Sequence, residues 1–404
     1  MPVLFFVTFV NVLGFGLIVP VLPFVIERLG GGPEQVTLIV ALYSALQFLT
    51  APIMGRLSDR FGRRPLLAWT MAGAVVSHLI LAMADSVWLI VFSRAVAGAM
   101  AGNLGLTFAY VSDTTPPEQR AKSLGLLSAA VGMGFMFGPG LGGLMAGNDI
   151  ATANFVRPAL TAAGLSLLAL ISIVMFLAES LRDADRLKNF AGDIVDFAPY
   201  LRVRTLDAGL GMLGLVAFLF YGAWTMFLAI FALWADRSLS MGPTEIGFMF
   251  MYSGFIGTIV QITLIGPLSK RFSEVSLLTS GTLLLGIGLL GLAVNQTFLM
   301  CAVAVTVMTV AHAIFSPVIT STVSKLAPPA ERGTVIGMFQ GFGALGRVVG
   351  PALSGFGFAS LGINSPFQIG AAVMLPCVLV ALATRRRANN ADQVSKLDAP
   401  SADN

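Results

Sequence analysis

Three local patterns in this chain recur at one spacing. Gly55-Arg-Leu-Ser-Asp-Arg-Phe61 returns as Gly266-Pro-Leu-Ser-Lys-Arg-Phe272, a shift of 211. Pro116-Pro117-x-x-Arg120 returns as Pro328-Pro329-x-x-Arg332, and Gly138-Pro139 returns as Gly350-Pro351, both shifted by 212. The shift is about half of the 404 residues, so the fold must be two tandem copies of one unit.

Long apolar stretches surround all three patterns. Hydrophobic residues make up 56% of the chain and charged residues 11%, against about a quarter charged in an ordinary soluble domain. A bilayer-crossing helix needs about 20 largely apolar residues. Twelve such stretches can be placed, near 3–27, 35–55, 65–84, 87–112, 119–146 and 155–178, then 209–235, 244–266, 275–294, 297–325, 331–358 and 366–384. The expected fold is an all-α integral membrane protein, its twelve transmembrane helices forming two pseudo-symmetric six-helix bundles. Only Met1 and Pro2 precede the first stretch, with no basic leader, so it is expected to be a retained helix. Such duplication within lipid is typical of secondary transporters.

Cytoplasmic loops are enriched in Lys and Arg. Of the 24 here, Arg28, Arg157 and Arg237 fall on one side, Arg94 and Arg347 lie within spans, and all others fall on the opposite side. Both termini are therefore expected in the cytoplasm, in the manner of a bacterial inner-membrane protein. The basic balance follows from this bias and gives no reason to expect nucleic acid. The domains expected are residues 1–178, a charged solvated linker at 179–208, residues 209–384, and a disordered polar tail at 385–404. Trp88 and Trp69 sit where an aromatic belt would lie. Cys301 and Cys377 lie within spans, so neither a disulfide nor a metal cluster is expected.

Between the second and third stretches runs Gly55-Arg-Leu-Ser-Asp59-Arg60-Phe-Gly62-Arg63-Arg64-Pro. Its glycines permit a sharp turn, and Asp59 and the arginines can bond across it. A loop that merely fixed topology would need neither Asp59 nor the glycines. This segment resembles the signature loop of the major facilitator superfamily, and the resemblance covers essentially the whole chain. Asn11-Val-Leu-Gly14-Phe-Gly16 through Pro20 and Pro23 resembles the first helix of its tetracycline-exporter and drug:proton antiporter branch. Ser112-Asp113-Thr114-Thr115 through Arg120 resembles its fourth-to-fifth-helix junction. Gly132-Met-Gly134 through Gly138-Pro139-Gly140-Leu-Gly142-Gly143 resembles its antiporter motif.

The resemblance implies export of small molecules by alternating access, as a monomer, with no cofactor and no covalent chemistry. It implies that Asp59 closes a cytoplasmic gate against the start of the eleventh helix, just after Pro329, and that Arg63 pairs with Asp113. In the repeat, Lys270 and Glu274 replace Asp59 and Arg63. The second loop is therefore expected to lack these contacts and to form its own Lys270–Glu274 pair. Gly134, Gly138 and Gly142 share one helix face, and Gly346 with Gly350 repeats the device; a sliding interface between the halves, ordinary transmembrane packing, or both are expected there. Pro139 is expected to bend its helix.

Arg94 and Arg347 are costly in lipid, which makes them candidates for substrate recognition or coupling. For Arg94 the family arginine of the fourth helix is the resemblance, and Asn103 is its alternative, structural partner. Acids of the tetracycline exporters are replaced here by Asn11, Ser77 and the stretch from Gly286 to Leu292, and an amide carries no proton. Protons remain the candidate coupling ion, with His78 and His312 as titratable groups within spans and Asp59, Asp113 and Glu34 nearer the ends. Gln261 matches a glutamine of the exporters. Tyr221 and Trp224 combine a ring with a polar handle; Phe15, Tyr43, Gln47, Tyr110, Phe227 and Tyr252 could also line a cavity for flat amphipathic ligands, or the aromatic ones could face lipid or fill helix packing. An organic-anion carrier or uncoupled facilitator is the alternative; a transport-dead membrane sensor or scaffold is a further one, against which the small extramembrane mass and intact gate motif speak. No nucleotide-binding loop points to ATP, and no nucleophile–base pair points to an enzyme.

Overall fold

The computed structural model describes residues 1–149, 153–181, 208–294, 297–327 and 332–397. Among these the secondary structure is helical, as lipid demands, because each helix satisfies its own backbone polar groups. The helices are α1 (Pro2–Ile18), α2 (Leu22–Arg28), α3 (Pro33–Phe61), α4 (Arg63–Ala82), α5 (Val87–Ala99), α6 (Asn103–Thr114), α7 (Pro117–Ala146) and α8 (Val156–Phe176). The second half holds α9 (Ala208–Leu239), α10 (Pro243–Thr263), α11 (Ile265–Arg271), α12 (Glu274–Ala293), α13 (Phe298–Leu326), α14 (Arg332–Leu361) and α15 (Ser365–Leu397).

Among the described residues, ten segments are long and apolar enough to cross a membrane by length and composition. They match the first ten predicted stretches. Two of these are broken: α1 and α2 divide at Pro20, which cannot donate into a helix, and α5 and α6 divide before Gly102. The eleventh and twelfth places are held by α14 and by the apolar Ser365–Ala381 part of α15. The expected linker falls mostly on 182–207, outside the described residues. The tail differs from expectation: α15 continues to Leu397. No Gly or Pro interrupts residues 385–397, and Ala, Arg, Gln and Lys there are good helix formers.

The two halves repeat one packing scheme. In the first, α1 packs on α7 and α8, and α4 on α8; in the second, α9 packs on α14 and α15, and α12 on α15. Between the halves run two seams, α7 with α10 and α3 with α14. Outward-facing Leu, Ile, Phe and Val side chains cover the bundle, including Trp88 and Trp69 near helix ends.

Glycine sets how closely the helices approach. A Cβ on Gly138 would lie 2.9 Å from the Cα of Gly16, and one on Gly142 would collide with the Leu17 carbonyl. The Gly134–Gly138–Gly142 face therefore packs on α1 inside the first half, not between the halves as expected. Gly346 and Gly350 face Phe218 and Gly222 of α9 in the same way. The seam is built from other small residues. Gly254 abuts Met136, Gly247 abuts Pro139 and Gly143, and Gly143 meets Pro243 and Thr244. The Thr244 hydroxyl donates to the Gly143 carbonyl at 3.0 Å.

Both seams are tied at the end far from the Gly55–Arg64 loop. There Gly355 meets Glu34 and Thr37, Gly242 meets Asn148, and Arg237 pairs with Glu27 across the halves at 2.7 Å. Gly142→Val should lower stability in detergent by about 1–3 kcal/mol through overpacking. Gly125→Val, on the same helix with nothing within 4 Å of its Cβ position, should leave the thermal midpoint near wild type.

Candidate functional site

The Gly55–Arg64 loop turns at Gly62, whose φ of 106° lies where side chains are strained. That turn starts α4 at Arg63 and swings its guanidinium into a cluster of acids. Arg63 Nη1 lies 2.6 Å from Asp59 Oδ1, and Nε lies 3.0 Å from Asp113 Oδ2. Nη1 also donates to the Ser58 hydroxyl. Arg120 donates to the Ser112 carbonyl at 3.0 Å, fixing the turn next to Asp113. Asp59, Arg63, Asp113 and Arg120 thus come together, while Gly55 sits in open space. The expected contact of Asp59 just after Pro329 falls outside the described residues.

Sequence reading missed Glu179. Its carboxylate accepts the backbone N–H groups of Arg63 at 2.9 Å and Arg64 at 3.2 Å. It also accepts those of Ser180 and Leu181, at 2.9 and 3.1 Å. Four donors converge on one acid at a helix N-terminus, where negative charge is favoured. Arg64 returns the tie by donating to the Val174 carbonyl at 2.5 Å. The Tyr110 hydroxyl donates to the Ala178 carbonyl at 2.7 Å, so Tyr110 braces the loop end. The available signal for Glu179 was an acid directly after the sixth apolar stretch, beside an arginine-rich loop.

The midspan candidates form two separate groups. In the first half Arg94 is 5% exposed and donates from Nη2 to the Ser77 and Ser93 hydroxyls, each at 3.1 Å. Its Nε has no hydrogen-bond partner. Those serines also bond each other's carbonyls, locking α4 to α5. Asn103 is not the partner of Arg94: its side-chain oxygen accepts from Asn11 at 2.9 Å. His78 is buried, with its ring against Gly14.

In the second half Tyr221 is the centre. Its hydroxyl donates to Ser316 at 3.3 Å, and the Arg347 guanidinium carbon lies 5.4 Å from its ring centroid, in cation–π range. His312 stacks on Trp224 at 4.4 Å between centroids and meets Tyr221 edge-on at 6.2 Å. Ser316 also lines a cavity of about 670 Å³ with Gln261, Thr320, Ser321 and Ser324. The cavity sits at the loop end, among the C-terminal parts of α10 and α13. Gln261 and Tyr221 are thus joined through Ser316, with Trp224, His312 and Arg347 around Tyr221. Phe227 is 1% exposed among Phe231 and Phe250 and is packing. The Tyr252 hydroxyl is paired with Thr306. Among the described residues no group of acids, His and Cys could hold a metal ion.

The model of the Major Facilitator Superfamily matches residues 4–209 and 213–401. The chain belongs to the major facilitator superfamily. It is 28% identical over 403 residues to Multidrug resistance protein 2 of Bacillus subtilis (strain 168), covering 95% of this chain and 94% of that one. It is 28% identical over 375 residues to the class C tetracycline resistance protein of Escherichia coli, covering 91% and 92%. Among solved structures, the human organic anion transporter MFSD10 (TETRAN) superposes with a TM-score of 0.71 at 24% identity, over 94% of this chain and 98% of that one. A peptide transporter of the POT type gives 0.80 at 17%, over 95% and 94%. At such identity these two speak for the fold alone. The protein is a multi-pass integral membrane transporter, not an enzyme, and its curated relatives include drug and tetracycline resistance proteins.

In this superfamily member the arginine cluster depends on an acid outside the signature loop. Glu179→Ala should uncap α4 and cost about 0.5–2 kcal/mol, as other lost caps do. Chemical denaturation in detergent measures it, with Asp85→Ala, an exposed acid between α4 and α5, as the near-neutral control.

Proposed function

We propose that this transporter exports small, flat amphipathic molecules by alternating access, in exchange for protons. The observation that carries the reading is the asymmetry between the two ends. Both seams are tied far from the signature loop, while a cavity of about 670 Å³, lined by second-half residues from Gln261 to Ile336, lies at the loop end. With the loop end at the cytoplasm, as its basic residues argue, this is an inward-facing state. Residues 1–178 and 209–384 are then the two moving bodies, joined by 179–208, with both termini, the second extended by 385–404, on the cytoplasmic side. Full-length similarity to multidrug and tetracycline resistance proteins supports export as the direction.

The ligand surface we assign is Gln261, Ser316 and Tyr221 with Trp224, His312 and Arg347. Aromatic faces and few polar anchors suit ligands with planar rings. His312, stacked on Trp224 within this group, is the coupling candidate best placed to sense an occupied site. A second reading, carriage of organic anions, is favoured by Arg94 and Arg347. Their guanidinium groups meet serine hydroxyls and a tyrosine ring, so an anionic ligand would supply a counter-charge.

Proteoliposomes loaded with a fluorescent planar dye test both. Uphill flux that collapses with the imposed pH gradient is the expected result; flux that only equilibrates and ignores the gradient rejects proton exchange. Transport of anionic dyes alone would select the second reading. Trp224→Ala should weaken dye binding by about 0.5–1.5 kcal/mol, read by fluorescence titration, since stacking beyond area burial is worth that much. Asp59→Asn should slow turnover at equal expression, because the loop loses one of the acids on Arg63.

A further inference from the structure

The second half carries a copy of the Arg63–Asp113 pair with both signs reversed. Glu274 stands where the repeat places Arg63, and Lys325 stands where it places Asp113. The expected Lys270–Glu274 pair is replaced by Lys325 Nζ on Glu274 Oε1 at 2.6 Å, with the Ser321 hydroxyl on the same oxygen at 3.1 Å. Thus the contact between the third and fourth helices of each half survives duplication although its polarity does not.

Helix ends explain how both polarities can persist. Glu274 opens α12 and Lys325 lies in the last turn of α13. An acid at an N-terminus and a base at a C-terminus both agree with the helix dipoles. Arg63 opens α4 and Asp113 nearly closes α6, so both oppose them. The first half adds Glu179 on the α4 N-terminus, restoring negative charge there. In the second half that end carries its own acid.

The α7–α10 seam shows what the second pair positions. Its register is antiparallel and constant: Gly132 meets Thr258, Met136 meets Gly254, Gly140 meets Met251, and Gly143 meets Gly247. Carried on toward the loop end, this register sets Glu118 opposite Phe272, one residue from Arg271. Glu118 lies in the first turn of α7 and Arg271 ends α11; both are exposed and opposite in charge.

We propose that the α7–α10 seam closes at the loop end through Glu118 and Arg271, with Glu274–Lys325 as positioning residues that hold α11 in register. This rests on the alternating-access reading. Lys325 is 69% exposed on its side chain, so the pair adds little to stability and its role is orientation.

The test is disulfide formation between Gln119→Cys and Phe272→Cys in the full chain, neighbours of the proposed pair that leave both of its charges in place, with Cys301 and Cys377 buried. Oxidation should cross-link the two introduced cysteines during cycling. Glu274→Lys or Lys325→Glu alone should slow cross-linking roughly tenfold, and the two together should restore it, as a coupled pair requires. No cross-link, single reversals without effect, or a double reversal no better than either single would each overturn the proposal. Spin labels at Ser128→Cys and Thr263→Cys, exposed on facing parts of the seam, report opening and closing independently of the contact. Two distance populations with no cross-link reject the Glu118–Arg271 contact; a single population rejects alternating access itself.

Discussion

Close approach of backbone to backbone at glycine is the constraint on which the rest of this transporter depends. In lipid there is no hydrophobic drive between apolar helices, so association relies on packing. At Gly138 against Gly16, and at Gly346 against Phe218 and Gly222, the helices touch where a side chain would not fit. These contacts fix the helices within each half. The seams between the halves use glycine in the same way: Gly143 meets the backbone of Pro243 and Thr244, and Gly247 that of Pro139 and Gly143.

Charge is concentrated at the loop end, where water can reach it. Arg63 gathers Asp59 and Asp113, and Glu179 secures the helix that carries Arg63. Within the spans polar groups are sparse and several pair with one another, although Arg94 Nε and His78 Nδ1 are buried without a hydrogen-bond partner. Asn11 bonds Asn103, Ser77 bonds Ser93, and Arg94 lies over the serine pair. The aromatic group around Tyr221 stands apart because its handle, the hydroxyl, bonds to a serine that also faces the cavity.

Much of this was legible in the sequence because the signals were periodic or local. Apolar stretches gave the helices, since lipid leaves a spanning backbone no alternative. The Asp59–Arg63–Asp113 cluster was legible because the first two flank the Gly62 turn and the third lies in a junction that resembles the family's. What was misread involved choosing among distant partners. The Gly134–Gly138–Gly142 face was correctly seen as a packing face, but sequence does not say which neighbour it meets. Asn103 was matched to Arg94 by proximity in the chain, whereas the fold turns it toward Asn11. Glu274 was paired with the nearest base, Lys270, because the reversed sign seemed to forbid the repeat's own contact.

The sequence by itself determined that this chain is a duplicated bundle of membrane helices with a signature loop between the second and third. Period, composition and repeat spacing are properties of one strand of residues, and physics reads them without a partner. Tertiary structure decided that α7 turns its two glycine faces to α1 and α10. It also decided that Glu179 reaches back over a hundred residues to cap α4, and that Glu274 finds Lys325. Those outcomes depend on which helices are neighbours and in what register, information that no local pattern carries.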